Sequence, residues 1–405
     1  MVAADTGRSQ PVLAPPPAVV DESRTLRERY DPEAWRRPAT AQLPPPATQA
    51  FPEKQGLMEI GPVVVRPRIG YRLLYGNGIR GRQGNEEKTV VQEFNPGLLL
   101  QLGDYWQFDY GLGFSLYSSD QFDDTVSHNV SLRGSMPLGG WIVGLSQGYA
   151  RSSDPTIETG RQTDQETIST TVFGNYAYSL KSSFELSGSH TLQSYAQFTD
   201  SRSLSGSGWW NYQVGEKTVF GLGATFGTVD VDPGTDMTYE QVNARITWDP
   251  SDYFYANVSG GVEVRQFVDS GASDRVSPIF ALSLGSQPFE QTTIGISAAR
   301  SVSASPFSDQ ITENTSVSAN LRQRILDRWF FSISGGYRVT AHESASASVP
   351  VAREDRGTFV RLGLSTTWQE RGTFQVFFSQ SRNDSDAAGF GYDSTQVGLD
   401  IGYRY

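Results

Sequence analysis

The chain has 405 residues, no cysteine and a formal net charge of −11. Without cysteine there are no disulfides, thiolate metal sites or thiol nucleophiles, and the acidic balance argues against nucleic acid as a partner. Charged residues are only 19% of the chain while glycine numbers 41, mean hydropathy is −0.40, and no run of about 18 apolar residues occurs, so no membrane-spanning helix is predicted.

Residues 1–60 differ from all that follows. Met1 to Gln10 lacks an apolar core, so the expectation is a chain that begins near a mature N-terminus, with Met1 in place of a removed leader. Pro15, Pro16 and Pro17, then Pro44, Pro45 and Pro46, with little period-2 patterning, read as a largely disordered or polyproline-like segment. A short helix over 21–35 is interrupted by Pro32.

From Ile60 the period becomes two. In the stretch from Asp104 to Tyr117, Trp106, Phe108, Tyr110, Leu112, Phe114 and Leu116 share one face, and Gln107, Asp109, Gly111, Gly113 and Ser115 share the other. Such runs are predicted at 62–75, 89–102, 105–117, 125–136, 141–152, 166–180, 183–194, 202–213, 217–229, 237–248, 253–267, 276–285, 289–302, 312–325, 329–340, 357–368, 373–382 and 392–405, eighteen in all. Most exceed the usual strand of about 5–6 residues in a sandwich and suit a tilted strand crossing a bilayer. Tight connections such as Gly103-Asp104 and Lys181-Ser182 alternate with longer ones, among them 153–165, 303–311 and 341–356.

Seven of the eight tryptophans (Trp106, Trp141, Trp209, Trp210, Trp248, Trp329 and Trp368) fall near tight turns. Indole favours the membrane–water boundary, so these are predicted to form a girdle at one rim. Ile401, Tyr403 and Tyr405 alternate to the last residue, as in the aromatic-terminated strand that barrel assembly machinery reads. The predicted architecture is all-β: a transmembrane antiparallel up-and-down β-barrel of about 18 strands over 61–405, in a bacterial outer membrane. An even strand number places both chain ends on the periplasmic side. Protease added to intact cells is therefore expected to cut within 153–165 or 341–356 and to spare 1–60; cleavage inside 1–60 would overturn this topology.

The long connections carry 20 Asp or Glu against 7 Lys or Arg. They form either a solvated acidic surface or divalent-cation bridges to lipopolysaccharide; Asp230, Asp232 and Asp236 look weakly like a calcium loop but lack its full spacing. Arg68, Arg72, Arg133, Arg245, Arg265, Arg322, Arg324, Arg338, Arg361 and Arg404 face inward by parity, with Glu93, Asp109, Glu185, Glu263 and Asp400. These groups either pair and keep the lumen wet or leave it basic and favourable to anions. Arg245, Arg265, Arg322, Arg338 and Arg361 are expected on one wall, opposite Ser169, Thr171, Ser187, Ser189, Ser205 and Ser207. Catalysis is not expected: His128 and His190 fall on apolar faces, and no Ser–His–Asp set is evident. No cofactor or metal is predicted.

Several stretches resemble the β-barrel porin family of exopolysaccharide operons, the EpsL type. They are GPVVVRPRIGYRLLYGNGI from Gly61, FEQTTIGISAARSVSAS from Phe289 to Ser305, Thr315 to Tyr337, Glu354 to Trp368, and the final hairpin from Ser379 to Tyr405. The GNGI departs from the family's frequent Asp-Asn pair. The resemblance implies export of a polysaccharide through an aqueous lumen, beside a periplasmic export protein. Residues 1–60 read either as a mere spacer or as a loosely ordered periplasmic tether that contacts such a partner through Arg27 to Trp35. A general or solute-specific diffusion porin is the alternative, and an anchoring barrel without transport the weakest.

Overall fold

The computed structural model describes residues 58–404 except 78–87, 121, 154–162, 306, 348–351, 370 and 388–389. The Pro-rich segment and its expected helix thus lie outside the described residues, as does Tyr405. The strands are β1 (Met58–Ile60), β2 (Val63–Gly76), β3 (Thr89–Leu102), β4 (Trp106–Tyr117), β5 (Thr125–Leu138), β6 (Trp141–Ser152), β7 (Gln165–Ala177), β8 (Ser182–Tyr195), β9 (Asp200–Gly215), β10 (Thr218–Asp232), β11 (Met237–Ser251), β12 (Phe254–Phe267), β13 (Arg275–Phe289), β14 (Thr292–Ala304), β15 (Gln310–Leu326), β16 (Trp329–Ser344), β17 (Ala352–Trp368), β18 (Gly372–Ser385) and β19 (Tyr392–Arg404).

Each strand from β2 to β19 pairs antiparallel with its chain neighbours, and β19 pairs with β2 from Gln396↔Gly76 to Arg404↔Arg68, closing an up-and-down barrel of eighteen strands. Closure removes every long edge, which in lipid would leave backbone donors and acceptors without water or partner. The sheet begins just upstream of the closed ladder: Met58–Ile60 pairs with Val63–Val65 through a turn in which Gly61 takes φ 58°, a conformation that a side chain disfavours.

The outer face is apolar and uncovered. Phe226 (61% exposed) and Val242 (69%) stand in mid-barrel, with Leu204, Val262, Val317 and Val397 also exposed. A water-soluble monomer does not carry such a continuous apolar surface; in lipid, alternation lets each strand show hydrocarbon outside and polar groups inside. Several strands run past their predicted ends at the long-loop side: β15 begins at Gln310, β16 runs to Ser344 and β17 begins at Ala352. Beyond the apolar belt the antiparallel ladder still satisfies backbone groups, although the lipid-driven alternation fades there.

Candidate functional site

The site is the lumen. Strand register places all ten predicted arginines on the inner face, and the five predicted acids each pair with one of them. Arg68 grips Asp109 through two bonds of 2.5 and 2.6 Å. Arg72 lies between Asp400 (2.6 Å) and Glu93 (3.4 Å). Arg361 sits 3.9 Å over the Phe377 ring and 3.9 Å from Asp400. Arg133 donates to Ser131 at 3.3 Å, and Arg322 stacks 4.4 Å over Phe330. Arg324 is opposite Phe330, Arg338 opposite Gly357, and Arg404 opposite Arg68.

Arg245 and Arg265 behave differently. Arg245 is buried against Glu185 (2.7 Å) and Asn211 (2.6 Å) and lies 4.2 Å over Trp209. Arg265, 3% exposed, bonds Glu263. Both positive charges are matched and withdrawn from the channel. The basic stretch is therefore centred on the closing seam, from β15–β17 across β19 to β2, rather than on β11–β17. Arg66 belongs to it as well. It shares the inner face with Arg68 and Arg72, two and six residues away, and period two alone makes this legible.

Across the lumen, β7–β9 carry hydroxyls in cross-strand pairs. Thr171 meets Ser189 at 3.1 Å and Ser187 meets Ser207 at 2.7 Å; Ser169 and Ser205 continue the same face.

Trp106, Trp141, Trp210, Trp248, Trp329 and Trp368 lie at the short-turn ends of their strands on the outer face. Trp141 packs on Tyr176 at 5.0 Å, Trp210 on Tyr212 at 5.9 Å and Trp248 on Phe254 at 5.7 Å. Trp209 does not join them. Adjacent strand residues point to opposite faces, so Trp209 turns inward beneath Arg245. Ile401 and Tyr403 face outward beside Tyr71 and Ile69. The histidines have varied partners: Tyr110 for His128 (3.1 Å), Arg202 for His190 (3.2 Å) and Asp355 for His342 (3.4 Å). Asp236 accepts a bond from the Val231 amide at 2.9 Å, and among the described residues no group of three His, Asp or Glu is placed to hold a metal.

A feature absent from the sequence reading narrows the long-loop mouth. The β13–β14 ladder stops at Phe280↔Arg300. Beyond it, the ends of β14, β15 and β16 leave the wall and fold inside β10–β13. Val302, Ala304, Ile311 and Ala345, which parity assigns to the outer face, pack on the inward-facing Val229, Val231, Met237, Tyr239 and Phe267. Polar groups fasten the overlap. Arg275 on the wall binds Glu313 (2.9 Å) and Glu343 on the flap; Ser277 and Arg300 also reach Glu313, each at 2.7 Å. Arg265 donates to the Val302 carbonyl at 3.3 Å, and Thr235 to Asp309 at 2.6 Å.

Comparison with protein-family models gives no match, and comparison with curated proteins gives none. Similar solved structures include a bacterial polysaccharide outer membrane secretin (11% identity, 86% of this chain and 100% of that chain, TM-score 0.39). Two others are the Pseudomonas aeruginosa outer membrane protein OpdK (12%, 84% and 98%, 0.49) and Pseudomonas aeruginosa OccK2 (13%, 86% and 99%, 0.48).

Proposed function

We propose that this chain is an outer-membrane channel that exports an anionic polysaccharide, as a member of the exopolysaccharide porin family its strands resemble. The observation that carries the reading is the lumen, polar within an apolar outer wall, with guanidinium groups on one side and hydroxyls on the other. Among the described residues no ion pair holds Arg66, Arg324, Arg338 or Arg404, so they remain available to carboxylate or sulfate groups. Hydroxyls exchange hydrogen bonds with sugar and water alike, which favours sliding over capture. An eighteen-strand barrel encloses enough room for an aqueous path. The periplasmic end would be the short-turn end, and residues 1–60 would meet an export partner there.

The folded-in ends of β14–β16 favour a second reading, a diffusion channel for small anionic solutes. Single-channel recordings in planar bilayers with a salt gradient separate the cases. The wild type is expected to prefer anions and to be blocked by an anionic polysaccharide added on the short-turn side. Arg66→Gln, Arg324→Gln and Arg404→Gln together should remove most of the preference while assembly persists. Anion-selective conductance without polymer block would favour the diffusion channel, and a barrel with no conductance would overturn both.

A further inference from the structure

We propose that Phe359 is a stacking subsite for one ring of an acidic sugar inside the lumen. The inference rests on the transport reading above and deepens it by naming where and how the polymer is held.

Phe359 lies near the middle of β17, on the same face as Arg361. Three other inward-facing phenyl rings are covered: Phe173 is 7% exposed, Phe330 7% and Phe377 3%, the last two beneath Arg322 and Arg361. Phe359 is 39% exposed. Its cross-strand neighbour is Gly336, where an added Cβ would stand 2.5 Å from the ring's Cε1 and 3.1 Å from Cζ. The missing side chain lets the ring lie down along the wall across β16, with its other face towards the lumen.

The surroundings match a particular ligand. Arg338 follows Gly336 by two residues on the same face, and Arg361 follows Phe359 by two, so a guanidinium stands on either flank. Arg361 is fixed by Phe377 beneath it and Asp400 beside it. Arg338 has no ion-pair partner among the described residues. Ser381 and Ser318 occupy the register positions beside Phe359 and Gly336. A pyranose has an apolar C–H face that stacks on a phenyl ring, and hydroxyls at its edge. A uronic acid adds a carboxylate that Arg338 would take as a charge-assisted, bidentate pair. A neutral sugar would use the ring and leave the arginine idle; a small inorganic anion would do the reverse. The combination selects a ligand carrying both.

The test measures interruptions of single-channel current by trigalacturonate, with maltotriose and inorganic phosphate as comparison blockers. Wild type should show longer blockades with trigalacturonate than with either. Phe359→Ala is expected to shorten them about tenfold, the scale of a lost aromatic contact, with open conductance and ion selectivity unchanged. Phe359→Trp should preserve or lengthen them. Gly336→Val, which lifts the ring without removing it, should reproduce the loss. Arg338→Gln should bring trigalacturonate down to the level of maltotriose. Heat-shifted mobility on gels checks that each barrel has assembled. Blockades of wild-type length in both Phe359→Ala and Gly336→Val would overturn the subsite and leave the channel reading standing. A wild type that conducts but is not blocked by trigalacturonate would overturn the subsite and the export reading together.

Discussion

Single-channel conductance is expected to rise several-fold when Arg275→Gln, Glu313→Gln and Glu343→Gln are combined. Arg275 is the wall's anchor for the flap, reaching Glu313 and Glu343 together. The flap occupies space that an open barrel gives to water, so releasing it widens the mouth. An alternative position is built in. The β13–β14 ladder includes neither β13 before Phe280 nor β14 beyond Arg300, and zipping these stretches together would restore the wall. A crosslink provides the opposite test. A Cβ built on Gly271 lies 3.7 Å from that of Ala347, within disulfide reach, and Ala347 already donates its amide to Ser270. Gly271→Cys with Ala347→Cys, despite the strain of a side chain at φ 67°, should hold conductance low in the triple variant under oxidation and release it on reduction. Conductance equal to wild type in the triple variant would mean that the apolar seam around Ile311 and Met237 holds the flap alone.

Acid is expected to act on the same latch. Protonating the Glu313 carboxylate removes the charge that Arg275 and Arg300 hold in the latched state. A carboxylate paired only in the latched state stabilises that state while it is charged, and the stabilisation is lost as it protonates. Conductance should thus increase as pH drops below the usual carboxylate range, and Glu313→Gln should flatten that response.

The strands and their faces were legible because lipid imposes alternation at every step. A residue such as Val242 must face out and Arg245 in, since a slip of one residue would put charge into hydrocarbon. The same rule separates Trp209 from Trp210. The overlap at the mouth was not legible, because parity says which face a residue takes and not what that face meets. Val302 has the parity of a lipid-facing residue, and Ile311 falls in the 303–311 connection. The signal that pointed elsewhere was charge: Arg300, Glu313 and Glu343 share their outward parity, and three charges on the outer face near one rim mark strands that have left the lipid wall. The 303–311 stretch also read as a loop because its alternation is short. Pairing of charges was likewise hidden. Glu185 and Arg245 lie on different strands, and only the ladder through β9 and β10 brings them together.

That pair yields the largest expected effect on stability. Glu185 (2% exposed), Asn211 (1%) and Arg245 (8%) form one buried group, with the guanidinium bonded to both partners and lying over Trp209. Removing the carboxylate in Glu185→Ala leaves the guanidinium buried with Asn211 alone, and the cost of an unmatched buried charge is about 3–5 kcal/mol. Glu185→Gln keeps a hydrogen-bond acceptor and should lose less. Replacing both partners, as Glu185→Leu with Arg245→Met, removes the charges together and should come closest to wild type, because desolvation of an ion pair offsets much of its attraction. Urea unfolding in lipid vesicles, followed through tryptophan fluorescence with Trp209 in contact with the variant site, measures all three. The expected order of midpoints is wild type and the double variant highest, Glu185→Gln next and Glu185→Ala lowest. A double variant as unstable as Glu185→Ala would show that packing around Trp209, and not charge matching, holds this part of the wall.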